Sequence, residues 1–335
     1  MGRVVTLGEI MLRLSTEQGQ RLQDSDHFCA HYGGGEANVA ISLANYGHTV
    51  SFMSKVPEHS LGLAVEKHLR SYGVDTSLLL KGGPRLGTYY METGIGERAA
   101  SVIYDRAGSS FAVMGCLEWS LEDCFKGVDL FHVSGITPAL SEKWRGLTKE
   151  LMEAAKQAGC QISFDINYRG KLWTQQEAGK ALEQLLPLVD ICSAGEMDAL
   201  YLLGIAKAPE TTVNPLIYYY EKMQERFPNI QTFYSTKRTV HSASENDLQG
   251  TLWMKDSYFE SPLHQVTSIV DRVGGGDAFA GGLLHGILEE MQPQAIIDFA
   301  TAASALKHTI HGDCNQFNQA EVASFIASGS GKIIR

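Results

Sequence analysis

Residues 271–277 read Asp-Arg-Val-Gly-Gly-Gly-Asp, followed by Ala278-Phe279-Ala280-Gly281-Gly282. Glycine has no Cβ, so the main chain at Gly274, Gly275 and Gly276 can turn tightly and gather its N–H groups. If a helix begins here, its unpaired first-turn amides and the positive end of its dipole favour a phosphate or a developing negative charge. A carboxylate in such a turn repels phosphate, unless its task is to take a proton from a hydroxyl attacking that phosphate. Asp277 therefore reads either as a general base or as the N-cap of an ordinary helix, a position that Asp favours. On the base reading the segment is a phosphoryl-transfer site. Two other glycine motifs do not fit. No Lys-Ser or Lys-Thr follows Gly281, which excludes a P-loop, and Phe279 stands where a dinucleotide fingerprint needs its third glycine.

The elements that must position these residues alternate. Strand-like runs at 4–8, 50–54, 130–134, 162–165, 191–193 and 232–235 are separated by helical patterns such as 142–159. This rhythm predicts an α/β chain: a doubly wound, mostly parallel sheet with helices on both faces. Such sheets bind ligands beyond the carboxyl ends of their strands. Asp165, Asn167 and Arg169 follow one predicted strand, Ser193 and Glu196 mark the end of another, and Thr236 and Lys237 follow a third, so together they define one crevice. Residues 85–112 break the rhythm: 87–92 and 100–104 read as antiparallel strands around a turn at 94–98, and the polar segment 10–31 is assigned to the same minor sheet. This sheet is a candidate lid, which would exclude water from the reaction; the plainer alternatives are a decorative hairpin or a dimer contact. Alternation sends Tyr89 and Tyr90 to opposite lid faces. Phe279, Leu283 and Ile287 form a core-facing helical stripe, and His285 is a surface or packing residue.

Composition narrows the function classes. With 335 residues, 44% hydrophobic and 20% charged, the chain is long enough for one large α/β domain or two smaller ones, and its organisation reads as one dominant domain. The formal net charge of −10 argues against a nucleic-acid surface, so an anionic substrate must be met by local arginines. No apolar run is long enough to cross a membrane. The six cysteines show neither CxxC nor metal-ligand spacing, and no signal peptide precedes them; reduced thiols and a cytoplasmic location are expected. There is no internal repeat, and a polar Ser-Gly-Ser-Gly stretch occupies 328–331.

Two motifs in this order resemble the ribokinase-type sugar kinases, the PfkB family, over nearly the whole chain. Gly33-Gly34-Gly35-Glu36-Ala37-Asn38-Val39-Ala40 is similar to the family's substrate-binding GGxxxNxA pattern, and Asp271 to Asp277 is similar to its DTxGAGD signature, with Arg272 for Thr and Gly275 for Ala. The resemblance implies a ribokinase-like domain spanning 1–335, with a Rossmann-like core and a β lid from roughly 10–31 and 85–112. It also implies ATP-dependent phosphorylation of a sugar, with Asp277 as catalytic base and the amides of Gly274, Gly275 and Gly276 as anion hole. Glu196 takes the acidic place of the family's NxxE motif, which orders the water shell of Mg²⁺, and Ser193 replaces its Asn. Thr236 resembles the position near the ATP phosphates, with Lys237 beside it, and Arg238 stands where many members have Gly. The family also leaves open a homodimer through the lid and a monovalent-cation site near Asp271 and the terminal loop, to which no residues are assigned.

Within the family, 104–110 and 164–173 look most like 2-keto-3-deoxygluconate kinases. The implied product is 2-keto-3-deoxy-6-phosphogluconate, formed by attack of the C6 hydroxyl on the γ-phosphate. A sugar acid carries a carboxylate, which a planar guanidinium pairs bidentately. Arg106 and Arg169 are the candidates, each with a surface ion pair as the plainer reading. Gly34 would let substrate approach the backbone, Asn38 would bind hydroxyls, and Tyr89 and Tyr104 would close over the ligand. A neutral-sugar kinase of fructokinase or ribokinase type is the alternative. A non-catalytic sugar sensor is more remote, since a sensor has no need to retain Asp277.

Overall fold

The apolar runs beside the glycine-rich turns form strands in the computed structural model, which describes residues 1–328. Among these residues the strands are β1 (Arg3–Leu7), β2 (Met11–Ser15), β3 (Cys29–Gly33), β4 (Thr49–Val56), β5 (Leu79–Lys81), β6 (Thr88–Glu92), β7 (Ser101–Asp105), β8 (Leu130–Ser134), β9 (Gln161–Asp165), β10 (Ile191–Ser193), β11 (Thr232–Ser242), β12 (Glu245–Met254), β13 (Ser257–Glu260) and β14 (His264–Thr267). The large sheet runs β13-β12-β11-β10-β9-β8-β1-β4-β5, with β14 paired to β12. From β11 through β5 every pairing is parallel, whereas β12 pairs antiparallel with β11, β13 and β14. The doubly wound expectation holds, with an antiparallel margin added.

Strand alternation divides the core between two faces. Val4 and Val5, Leu130 and Phe131, Ile191 and Cys192, and Tyr234 and Phe233 each send successive side chains into different apolar clusters. One cluster packs the helices Glu142–Gln157, Gln175–Leu185 and Pro215–Arg226; the other packs Gly35–Asn45, Ser60–Ser71 and Gly275–Leu288. With both faces covered, central strands are apolar throughout, and all five residues of β8 are buried. Local chemistry agrees with these boundaries: Ser141 caps Glu142–Gln157 by accepting from the Trp144 amide at 3.1 Å, and Thr174 with Glu177 forms a capping box. Phe279 and Leu283 are buried and Ile287 packs beside them, while His285 is enclosed and bonded to His48 at 2.8 Å, a packing role.

The small sheet has the order β3-β2-β6-β7, with β2 and β6 parallel and the outer pairings antiparallel. Tyr89 on β6 is buried, whereas Tyr90 turns away and meets Phe28 edge-on at 6.2 Å. One expectation needs correction: β11 does not end at 235 but continues to Ser242, so Thr236 and Lys237 lie within a strand. Its second half is polar and exposed and is held by main-chain pairing with β12, which hydrophobic patterning does not register. The polar stretch at 328–331 lies, beyond Ser328, outside the described residues.

Candidate active site

The Gly274–Gly276 turn is shaped by its backbone. Gly274 has φ +82°, and a Cβ there would lie 1.6 Å from the Asp313 carbonyl oxygen, so both conformation and space require glycine. At Gly275 a Cβ would lie 2.6 Å from the His308 ring, but at Gly276 it would meet nothing within 4 Å, leaving room for a ligand. Gly274 is the N-cap of Gly275–Leu288, which excludes Asp277 from that role and places it third in the first turn. The Gly275 amide makes a long bond of 3.4 Å to the Arg272 carbonyl.

Asp277 is half-buried, and its carboxylate is anchored across the cleft. Asn38, almost fully enclosed on the helix Gly35–Asn45, donates from Nδ2 to Asp277 Oδ2 at 2.7 Å. The other oxygen, Oδ1, lies 3.6 Å from where a Gly35 Cβ would stand. Burial pushes the Asp277 pKa up to about 6; the Asn38 hydrogen bond and nearby Arg169 oppose the rise, and Asp165 and Asp313 add to it. A carboxyl held near neutrality in a cleft is suited to proton transfer. Asn38 thus orients the Asp277 carboxylate, a role that its expected contact with substrate hydroxyls did not include.

Beside this carboxylate lies a cavity of about 450 Å³. Asp165, Ser193, Glu196, Thr236, Lys237 and Gly276 line it, so most of the residues expected at the strand ends come together; Asn167 and Arg169 are not in its wall, and Asn167 instead donates from Nδ2 to Asp165 Oδ2 at 3.2 Å. Asp165, to which the sequence assigned no role beyond bordering the crevice, has its pKa pushed up to about 6, chiefly by burial. Glu196 is exposed at the start of Glu196–Tyr201, while Asp198 is spent on the Gly195 amide at 2.8 Å. Lys237 is partly committed: its ammonium bonds to Glu260 and lies 5.7 Å over the Tyr258 ring. Among the described residues no three acidic, His or Cys side chains form a metal cage. That donor set fits Mg²⁺ shared with nucleotide phosphates, where one or two carboxylates suffice.

The lid-side residues divide. Arg106 is not free, because its Nε donates to buried Glu9 at 2.8 Å and its Nη2 bonds to the same oxygen. Glu9 also accepts from Ser109, and its carbonyl oxygen would lie 2.1 Å from a Cβ at Gly34, so this pair adjoins the glycine run. Arg169 is exposed, makes no salt bridge among the described residues, and acts electrostatically on both Asp165 and Asp277. Tyr104, 44% exposed, sits 5.7 Å from the Tyr89 ring, and the Tyr89 hydroxyl donates to Asp313. Tyr89 is thus buried with its hydroxyl committed, and Tyr104 is the more accessible ring of the pair.

A buried ionic cluster, which no spacing in the sequence signals, joins the lid to the signature turn. Arg13 on β2 pairs at 2.8 Å with both Asp271 and Asp313. Asp271 also accepts from the Val273 and Gly312 amides at 3.1 Å, and Lys307, fully buried, approaches its carbonyl oxygen at 3.4 Å. Burial opposes the charge on Arg13, but Asp271 and Asp313 outweigh it and raise the Arg13 pKa; Lys307 is lowered by burial. The surroundings of Asp271, near which the resemblance leaves a monovalent-cation site open, thus contain two basic side chains, Arg13 and Lys307.

The chain is similar along nearly its whole length to known proteins. A sequence model described as pfkB family carbohydrate kinase matches residues 1–320. A 2-dehydro-3-deoxygalactonokinase of Haloferax volcanii is 32% identical, with 99% of each chain covered. The crystal structure of a PfkB family carbohydrate kinase from Listeria grayi is 46% identical with a TM-score of 0.93, covering 97% of this chain and all of the other. That of a 2-dehydro-3-deoxygluconokinase from Thermotoga maritima is 36% identical with a TM-score of 0.94, covering 98% and 100%. No helix among the described residues is long and apolar enough to cross a membrane.

Proposed function

The chain belongs to the pfkB family of carbohydrate kinases and is an ATP-dependent phosphotransferase with an alcohol acceptor; from that premise we propose that its acceptor is a 2-keto-3-deoxy sugar acid, phosphorylated at the C6 hydroxyl. The observation that carries the reading is Arg169, exposed and without a salt bridge among the described residues, close enough to act electrostatically on the Asp277 carboxyl, whose pKa burial pushes up to about 6. Arg169 supplies the guanidinium for the substrate carboxylate, and the kinase relatives named for 2-dehydro-3-deoxy sugar acids support the same class. Arg106, balanced by Glu9, takes the lesser part and shapes the lid wall with Tyr89 and Tyr104.

In this mechanism the hydroxyl oxygen bonds to the γ-phosphorus while its proton passes to Asp277 Oδ1, since Oδ2 is engaged by Asn38. The bond from the γ-phosphorus to the β–γ bridging oxygen breaks, and its electron pair leaves with ADP. The amides of the Gly274–Gly276 turn and the dipole of Gly275–Leu288 stabilise charge on the migrating group. Ser193, Thr236 and Lys237 border the nucleotide phosphates. Asp165 and Glu196, the latter through water, are the residues that would hold a Mg²⁺ ion bound with the nucleotide, which would supply neutralisation of phosphate charge.

A coupled ADP-release assay tests the acceptor, using 2-keto-3-deoxygluconate, its galactonate epimer, fructose and ribose. The expected kcat/KM for one of the sugar acids exceeds that for either neutral sugar by at least about tenfold, the lower end for a charge-assisted contact. Preference for fructose or ribose replaces this reading with the neutral-sugar kinase. The lid edge β7, where Ile103 is 55% exposed, supports a homodimer; a monomeric mass in solution rejects it.

A further inference from the structure

Arg238 and Arg272, two positions at which the chain departs from its family's motifs, meet on one flank of the Gly274–Gly276 turn. The antiparallel register pairs Thr236 with Gly250, Arg238 with Leu248 and Val240 with Asn246. Paired residues, and residues two apart, share a sheet face. Gly250 identifies that face, because a Cβ there would meet Phe279, Ile297 and Thr301 on the helices Gly275–Leu288 and Pro293–Lys307. Arg238 therefore stands one step beyond Thr236 on the side of the turn, while Lys237 alternates to the opposite face, where Glu260 holds it. Arg272 reaches the same side: its Nη2 donates to Asn246 Oδ1 at 2.7 Å and to the Ser242 carbonyl at 3.0 Å.

Both arginines lack an acidic counterpart. The partners of Arg272 are neutral, Arg238 is exposed, and neither makes a salt bridge among the described residues. Burial and the nearby Arg238 both lower the Arg272 pKa, and His308, against Gly275, is lowered to about 4 mainly by burial, with both arginines contributing. Two uncompensated guanidinium groups beside a turn of converging amides form an anion-receptive flank, in a protein whose net charge is −10.

We propose that Arg238 is a nucleotide-binding residue that contacts the α- and β-phosphates of ATP, with Arg272 fixing the β11–β12 hairpin that carries it. The proposal rests on the nucleotide site described above. A phosphate chain that ends at Gly276 and runs along β11 past Thr236 next meets Arg238 on the same sheet face, whereas the ammonium of Lys237, also at the cavity wall, is held by Glu260.

Calorimetric titration of ADP and adenosine into the wild type, Arg238→Ala and Arg238→Lys tests it without any sugar present. The expected result for Arg238→Ala is about a tenfold loss of ADP affinity with adenosine binding within about twofold of wild type, and partial recovery in Arg238→Lys. In turnover, KM for ATP rises by a similar factor while kcat stays within about threefold. ADP affinity within twofold of wild type overturns the proposal, as does an equal loss for adenosine, which places the contact on the nucleoside. An enzyme that binds ADP but ignores sugar acids rejects the acceptor assignment and leaves this result standing.

Discussion

Asn38→Leu isolates the hydrogen bond that sets the base. Asn38 is 2% exposed, and its Nδ2 contact with Asp277 is 2.7 Å long, so the substitution keeps side-chain bulk but removes a charge-assisted bond from an enclosed site. Such bonds contribute about 1.5–3 kcal/mol, and about 1.36 kcal/mol corresponds to one pH unit of proton affinity. The bond stabilises the ionised form, so its loss makes Asp277 hold its proton to higher pH. A base acts only when deprotonated, and activity therefore falls as pH drops through its pKa. With Asp277 at about 6, the acidic limb of kcat/KM in the wild type should lie near that value, and in Asn38→Leu it should move up by roughly one to two pH units. Coupled ADP release between pH 5 and 9.5, conditions of order chosen to bracket both limbs (about 4.5 pH units), measures this directly. The variant should lose roughly two- to tenfold at pH 7 and recover most of it near pH 9. A limb that does not move, or an equal loss at every pH, refutes the reasoning and reduces Asn38 to a packing residue.

Arg169→Leu should raise KM for the sugar acid by about tenfold and leave KM for neutral sugars unchanged, read in the same coupled assay. Gly274→Ala meets both a positive φ and the Asp313 carbonyl, so thermal unfolding should register a loss of at least about 2 kcal/mol; Gly276→Ala, with open space around it, should keep its melting temperature and instead weaken nucleotide binding. Because Arg13 and Lys307 already attend Asp271, exchanging potassium for sodium or tetramethylammonium should leave kcat within about twofold, and Arg13→Met should cost about 3–5 kcal/mol of stability by stranding two buried carboxylates.

Much of the scaffold was legible because it depends on local pattern. The strands at 130–134 and 191–193 and the helix starting at 142 follow from apolar runs and turns within a few residues. The crevice was legible because Asp165, Ser193, Glu196 and Thr236 occupy the ends or extension of parallel strands. What remained hidden depends on distance along the chain. Asn38 meets Asp277 across 239 positions, Glu9 meets Arg106 across 97, and Arg13 meets Asp313 across 300, and no spacing rule links such partners. The exposed half of β11 escaped notice for another reason: its order comes from the ladder with β12, while its side chains are polar. Asp277 itself was legible as a carboxylate in a glycine turn, but only the left-handed Gly274 cap removes the N-cap reading.

The most direct test of the account is the single-turnover rate of phosphoryl transfer in Asp277→Asn, with ATP and the preferred acceptor both saturating. The change keeps the side chain's shape but removes its ability to accept the hydroxyl proton. The account predicts a rate lower by about 10²–10⁴-fold, with ADP affinity within about threefold of wild type. Transfer at close to the native rate would contradict it.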